Sequence, residues 1–171
     1  MDEKTLASFG KIEIVALPPM KVASYKITGS NPEEEGYLFM ADWLNKQGLK
    51  FGENGVRNFG FDVNSHGESD YEKGIRCYQR FAAVPEGIDG SDGIEIKMFC
   101  GGRFAEMIIT RPFECEFTEG WNYMFAWLEN SDEKARLTNG GTCEETPCLE
   151  EVYTENGIEY MAMYLPLQEE L

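Results

Sequence analysis

The feature that most constrains this chain is that its order of predicted elements occurs twice. Lys11 to Gly29 begins as a strand, with Ile12, Ile14 and Ala16 alternating against other residues, and resumes as one from Val22 to Ile27. Pro18-Pro19 interrupts it. Two prolines remove two ladder donors, so this point reads as a bulge or an edge rather than a central strand. A helix start follows, with Asn31 as cap, Pro32 at the first helical position and Glu33, Glu34 and Glu35 at the positive end of the dipole. The acidic run is explained by that helix start and does not require a metal. Tyr37, Leu38, Ala41, Leu44 and Asn45 continue at three-and-four spacing, and Gly48 can end the helix. Phe59 to Val63 and Arg76 to Val84 then read as strands.

The second half follows the same order. Ile94 to Thr110 is a long strand pattern broken at Gly101-Gly102, and Thr118 is placed to cap a helix carrying Trp121, Met124, Phe125 and Leu128. Glu129 to Thr146 reads as a loop, and Leu149 to Thr154 and Tyr160 to Leu165 as strands around a turn at Asn156-Gly157. The expected fold is α+β: one domain over residues 1–171, built from two strand–helix–strand–strand repeats at 10–84 and 94–167. The two would form an antiparallel sheet with two helices around a pseudo-twofold axis. Aligned by eye, Trp43-Leu44 falls on Trp127-Leu128, and Val22-Ala23-Ser24-Tyr25 on Arg103-Phe104-Ala105-Glu106. The groove between the halves is the favoured place for a ligand.

Charge and composition remove most alternatives. The formal charge of −16, with basic residues scattered singly, argues against direct nucleic-acid binding and makes a cationic ligand the natural partner. No apolar run is long enough to span a membrane, and the start of the chain carries no signal-peptide pattern, so a cytoplasmic location is expected. Five cysteines without a Cys-x-x-Cys pair read as buried or incidental thiols, Cys143 and Cys148 being the closest pair. The single histidine, His66, sits in a polar segment, which leaves too few ligands for a zinc cluster and no plausible triad. Gly101-Gly102 lacks phosphate-loop spacing. No cofactor is expected.

Twenty-two aromatic residues supply both a core and a cage. Glu150 and Glu151 lie between Leu149 and Val152 in a strand, so one carboxylate is expected to point inward unless both are solvated at an edge. A buried carboxylate is costly and has a raised pKa. Ringed by Tyr and Trp faces, it would hold a flat, delocalised cation by charge and cation–π attraction.

An ordered series of short motifs adds to this reading: Leu17-Pro18-Pro19-Met20-x-Val22-Ala23, Phe59-Gly60-Phe61-Asp62, Tyr71-Glu72-Lys73-Gly74, Gly101-Gly102-Arg103-Phe104-Ala105, Trp121-x5-Trp127-Leu128, Pro147-Cys148-Leu149-Glu150-Glu151 and Tyr164-Leu165-Pro166-Leu167. Together they resemble the GyrI-like small-molecule-binding domain, the AraC-type effector-binding domain of bacterial transcription activators, in a stand-alone form without the helix-turn-helix. The resemblance runs from Lys11 to Leu167 and implies the same doubled fold. It also implies an aromatic cage around a glutamate that receives hydrophobic, often cationic compounds. The family glutamate maps to Glu150 on the Pro-x-Leu pattern, or to Glu151 if the register follows Glu-x-Tyr with Tyr153. Tyr164, Trp121 and Phe61 match positions that often line the family pocket, and Tyr25, Tyr78, Phe104 and Tyr153 are added from strand parity. The expected function is ligand binding or sequestration. The alternatives are a hydrolase of cyclopropane-containing genotoxins using Glu150 and Tyr164, and a gyrase-directed protein partner.

Overall fold

The computed structural model describes residues 9–63, 71–110, 116–136 and 147–169; His66 and Cys143 lie outside them. The first half contributes β1 (Glu13–Leu17), β2 (Met20–Gly29), α1 (Pro32–Lys46), β3 (Asn58–Asp62) and β4 (Arg76–Ala83). The second contributes β5 (Glu95–Phe99), β6 (Gly102–Thr110), α2 (Glu116–Glu129), β7 (Leu149–Glu155) and β8 (Ile158–Pro166). All eight strands join one antiparallel, curled sheet in the order β1-β6-β8-β7-β3-β4-β2-β5. The order reads identically from each end once β1–β4 are exchanged for β5–β8, so the expected pseudo-twofold is present. The sheet and helices form the α+β fold expected.

The prolines do something other than form a bulge. At Pro18-Pro19 the chain leaves β1, which pairs with β6 of the other half, and enters β2, which pairs with β4 and β5. The break at Gly101 does the same for β5 and β6. Each half therefore lends one edge strand to the other. Gly101 has φ 69°, and a side chain there would collide with the carbonyl of Leu17 at 2.2 Å, so glycine is required where the arms cross.

Strand register corrects the alignment made by eye. Leu17 faces Gly102 and Phe99 faces Met20, which places Val22 on Phe104 and Ala23 on Ala105, one residue from the expected match. The seam between halves is β3 against β7, where Gly60 pairs with Glu150; their outer partners are Arg80 and Met163. The axis runs through Gly60 and Glu150.

Both helices press a glycine onto the sheet. A Cβ on Gly36 would meet Ile27 and Arg80, and one on Gly120 would meet Met163 and Ile109, the equivalent residues. From there the buried ridge of α1 runs through Met40, Trp43 and Leu44; of the stripe read from the sequence Leu44 is buried, but Tyr37 is 41% and Leu38 60% exposed. The side chain of Asn31 bonds the Glu34 carboxylate instead of capping the backbone. Thr118 lies inside the first turn of α2 rather than at its cap. At Asn156-Gly157 both residues have positive φ, 51° and 77°, which fits the tight hairpin expected.

The sheet has two apolar faces. One packs beneath α1 and α2, with Met40 and Trp43 of the first helix meeting Ala23 and Ala82, and Met124 of the second meeting Ala105 and Met107. The opposite, concave face closes on a cluster of Phe59, Phe61, Phe81, Phe104, Leu149 and Tyr164. The cysteines depart from the all-thiol expectation, because Cys100 is disulfide-bonded. Cys148 keeps its thiol and so does not pair with Cys143; burial, then the neighbouring Glu150, pushes that thiol up to about 12. Among the described residues no helix is long and apolar enough to cross a membrane.

Candidate functional site

A cavity of about 900 Å³ opens over the β3–β7 seam, walled by α1 and the loop after it on one side and by α2, β7 and β8 on the other. Its floor is set by strand parity. Glu150, Gly60, Tyr78, Arg80 and Met161 share the helix-side face, because cross-strand partners point the same way.

Glu150 projects into the cavity from the pseudo-twofold axis and accepts a 3.1 Å hydrogen bond from the Tyr78 hydroxyl. Burial is the main reason its pKa rises to about 8; the charge of Asp62 adds to this, while hydrogen bonding from Tyr78 and Trp121 works against it. Near neutral pH Glu150 is thus mostly protonated. Tyr78 reaches Glu150 only because residue 60 is glycine: a Cβ there would lie 2.1 Å from the Tyr78 hydroxyl. Burial, then Glu150, lifts the Tyr78 phenol well above its ordinary range.

Arg80, 6% exposed, lines the same cavity. Its Nη1 donates to Asn58 Oδ1 at 2.5 Å and its Nη2 to the Glu33 carbonyl at 2.8 Å. Its guanidinium stands 5.7 Å from the Tyr37 ring and 5.3 Å from that of Tyr78. Burial lowers its pKa. At the rim, Arg76 bridges the carboxylates of Glu33 and Asp62. Burial outweighs that arginine and raises the Asp62 pKa.

A sequence profile named Cass2, the integron-associated effector binding protein, matches residues 13–167. The chain belongs to this family. At the coarse level its function is therefore that of a small-molecule effector-binding domain. No curated protein matches by sequence. Among solved structures, the EcmrR C-terminal domain is similar over 94% of this chain and 98% of its own, at 12% identity and TM-score 0.66. The longer EcmrR chain in a DNA complex is only 59% spanned by this one. SAV2435, solved with tetraphenylphosphonium, is 8% identical at TM-score 0.52, covering 93% of this chain and 94% of its own. A hydrolase from Listeria innocua is 13% identical at TM-score 0.60, covering 92% of both chains. At these identities the likeness concerns the fold.

In this Cass2-family chain the structure brings together some of the sequence-derived candidates and separates others. Glu150 and Tyr78 line the cavity and Trp121 approaches Glu150 from α2; Tyr153 borders the mouth, but its ring stacks on Tyr160 and packs against the concave-face cluster. Glu151, Tyr164, Phe61 and Phe104 lie on the concave face, on the far side of the sheet. There Glu151, 4% exposed, accepts two bonds from Arg57, Nε at 2.7 Å and Nη2 at 2.6 Å, and a third from the Tyr164 hydroxyl at 2.8 Å. Burial opposes the Arg57 charge, but this pairing outweighs it and leaves the Arg57 pKa raised. Burial and Glu151 hold the Tyr164 phenol far above its usual range. Phe61 packs edge-on against Phe81 at 5.3 Å, and Phe104 meets Tyr164 at 6.1 Å. Tyr25 stacks on Phe39 at 4.1 Å, away from the cavity. Glu150 and Tyr164 therefore cannot act on one ligand.

Sequence reasoning did not select Tyr37, Arg80, Asn58 or Phe117 for the site. A usable signal was present: Gly36, Met40, Trp43 and Leu44 recur as Gly120, Met124, Trp127 and Leu128. Extending that match sets Tyr37 on Trp121 and Glu33 on Phe117, which places Tyr37 and Phe117 at the groove, whereas Asn58 and Arg80 follow only from the strand register.

Proposed function

We propose that the cavity binds hydrophobic aromatic small molecules bearing a delocalised positive charge, with Glu150 as counter-ion. One observation carries this reading: a single desolvated carboxyl stands on the axis of the cavity, held by Tyr78 and Trp121 and lacking an arginine or lysine partner at hydrogen-bond distance among the described residues. A cation placed beside it stabilises the carboxylate that burial disfavours, and the tyrosine and tryptophan rings add cation–π attraction. Glu34, Glu53 and Glu159 around the mouth attract positive ligands. The tetraphenylphosphonium bound by SAV2435, a protein of the same fold, is a ligand of this chemical class.

Fluorescence titration with rhodamine 6G tests the proposal. Saturable binding is expected in the wild type, weakened about tenfold or more in Glu150→Gln, the scale of one lost charge interaction. Saturable binding that is equally tight in both proteins contradicts the assignment to Glu150, and no binding by wild type contradicts the reading as a whole.

A hydrolytic reading draws on a different observation. Glu150, protonated near neutral pH, can donate a proton, with the Tyr78 hydroxyl beside it rather than that of Tyr164. Turnover of a cyclopropane-containing substrate, lost in Glu150→Gln, would favour it over simple binding.

A further inference from the structure

The two walls of the cavity are built from equivalent positions but differ in chemistry. On the first-half wall stand Glu33, Tyr37, Tyr78 and Arg80; register and helix spacing set these on Phe117, Trp121, Met161 and Met163 of the second half. One wall is polar and carries a cation, and the other is apolar and aromatic. Arg80 is the residue that makes the difference. It is buried, and both of its hydrogen-bond partners, the Asn58 amide oxygen and the Glu33 carbonyl, are neutral. Its Nε has no hydrogen-bond partner among the described residues. Among the described residues no carboxylate comes within ion-pair distance of it; Glu150 and the Glu33 carboxylate act on it only through space. A buried cation with only neutral partners is unfavourable unless something supplies the opposite charge.

We infer that Arg80 is the specificity-determining residue of the cavity and selects amphoteric ligands. Their apolar, cationic body lies against the Phe117–Trp121 wall next to Glu150, and a carboxylate or similar acceptor faces Arg80. This deepens the small-molecule reading above and rests on it. A ligand with positive charge alone leaves Arg80 uncompensated and competes with it for the Tyr37 and Tyr78 rings. A zwitterion satisfies both ends of the cavity at once.

Rhodamine 6G and its free acid, rhodamine 19, share one cationic ring system and differ by an ester against a carboxylate. Both are titrated against wild type, Arg80→Met and Arg80→Lys at one pH and salt concentration. Methionine is what the second half carries at this position, as Met163, so the helix above accommodates it. Wild type is expected to bind rhodamine 19 more tightly than rhodamine 6G. Arg80→Met is expected to reverse that preference, changing the ratio of the two affinities about tenfold or more, while Arg80→Lys keeps it. If Arg80→Met fails to fold, Arg80→Gln, which still bonds Asn58, carries the same comparison. Binding of both dyes with an unchanged ratio overturns the role of Arg80 and leaves the Glu150 reading standing. Binding of neither dye by wild type overturns both.

Discussion

The two halves of this protein share one backbone plan and distribute polarity in opposite ways. On the helix side the first half is polar, with Tyr78 and Arg80, where the second half has Met161 and Met163. On the concave side the pattern inverts: the first half has the Phe61–Phe81 pair, and the second half has Glu151 bonded to Tyr164 at the equivalent positions. The duplication thus yields two polar centres, one on each side of the sheet, and adjacent residues of β7 serve them. The concave centre is saturated, since Glu151 receives three hydrogen bonds from Arg57 and Tyr164. The helix-side centre is not. Glu150 borders a cavity and Arg80 has neutral partners, which accords with the ligand site proposed above rather than with a closed structural network.

Perturbing either centre tests the comparison. The largest effect is expected from Gly60→Ala, whose Cβ would lie 2.1–2.4 Å from the Tyr78 ring and hydroxyl. The ring must leave, costing about 3 kcal/mol of stability by overpacking and removing the Tyr78–Glu150 bond, so both denaturant midpoint and dye binding should fall. Glu151→Gln comes next. It breaks the paired contact with Arg57 and should cost about 2–3 kcal/mol in urea unfolding at neutral pH, less than a fully buried pair because Arg57 keeps about a third of its side chain in water. Dye affinity should be unchanged while the protein is folded.

Glu150→Gln should move stability the other way. A carboxyl whose folded pKa is raised from 4.5 to about 8 holds a proton that the unfolded chain releases. Its contribution to stability is therefore present below pH 4.5 and falls away as pH rises through 8. Glutamine mimics the protonated form at every pH. Thermal unfolding should accordingly show little difference between wild type and Glu150→Gln in acid, and a mutant that becomes the more stable protein as pH rises through the folded pKa. A stability loss at alkaline pH would place Glu150 with Glu151 as a structural carboxylate. The same titration predicts that cationic dye affinity rises with pH up to about 8 and then levels.

Much of the architecture was legible in the sequence because hydrophobic period and turn chemistry act locally. The helix at Asn31-Pro32, the hairpin at Asn156-Gly157 and the doubled element order follow from a few residues each. The exchange of β1 and β5 between halves was not legible, since pairing partners are non-local and Pro18-Pro19 looks like a bulge from within its own segment. The choice between Glu150 and Glu151 was also hidden. Alternation fixes which residues share a face but not which face holds the cavity, and here both faces are apolar. The same lack of an anchor let strand parity assign Phe104 to the cavity, and Phe61 and Tyr164, taken from the family resemblance, lie with it on the other face. Tyr37 and Leu38 read as core because the helix was assumed to bury its largest apolar stripe, whereas Gly36 lets a narrower ridge sit close to the sheet.

Glu150 is a desolvated acid at an open cavity, while its neighbour Glu151 is a paired carboxylate. Side-chain carboxyl 13C NMR, with Glu150 assigned by the resonance missing from Glu150→Gln, measures this directly. A titration midpoint near 8 is expected in the free protein, moving downward when rhodamine 6G is bound. A midpoint near the ordinary glutamate value of 4.5, unmoved by the dye, would contradict it.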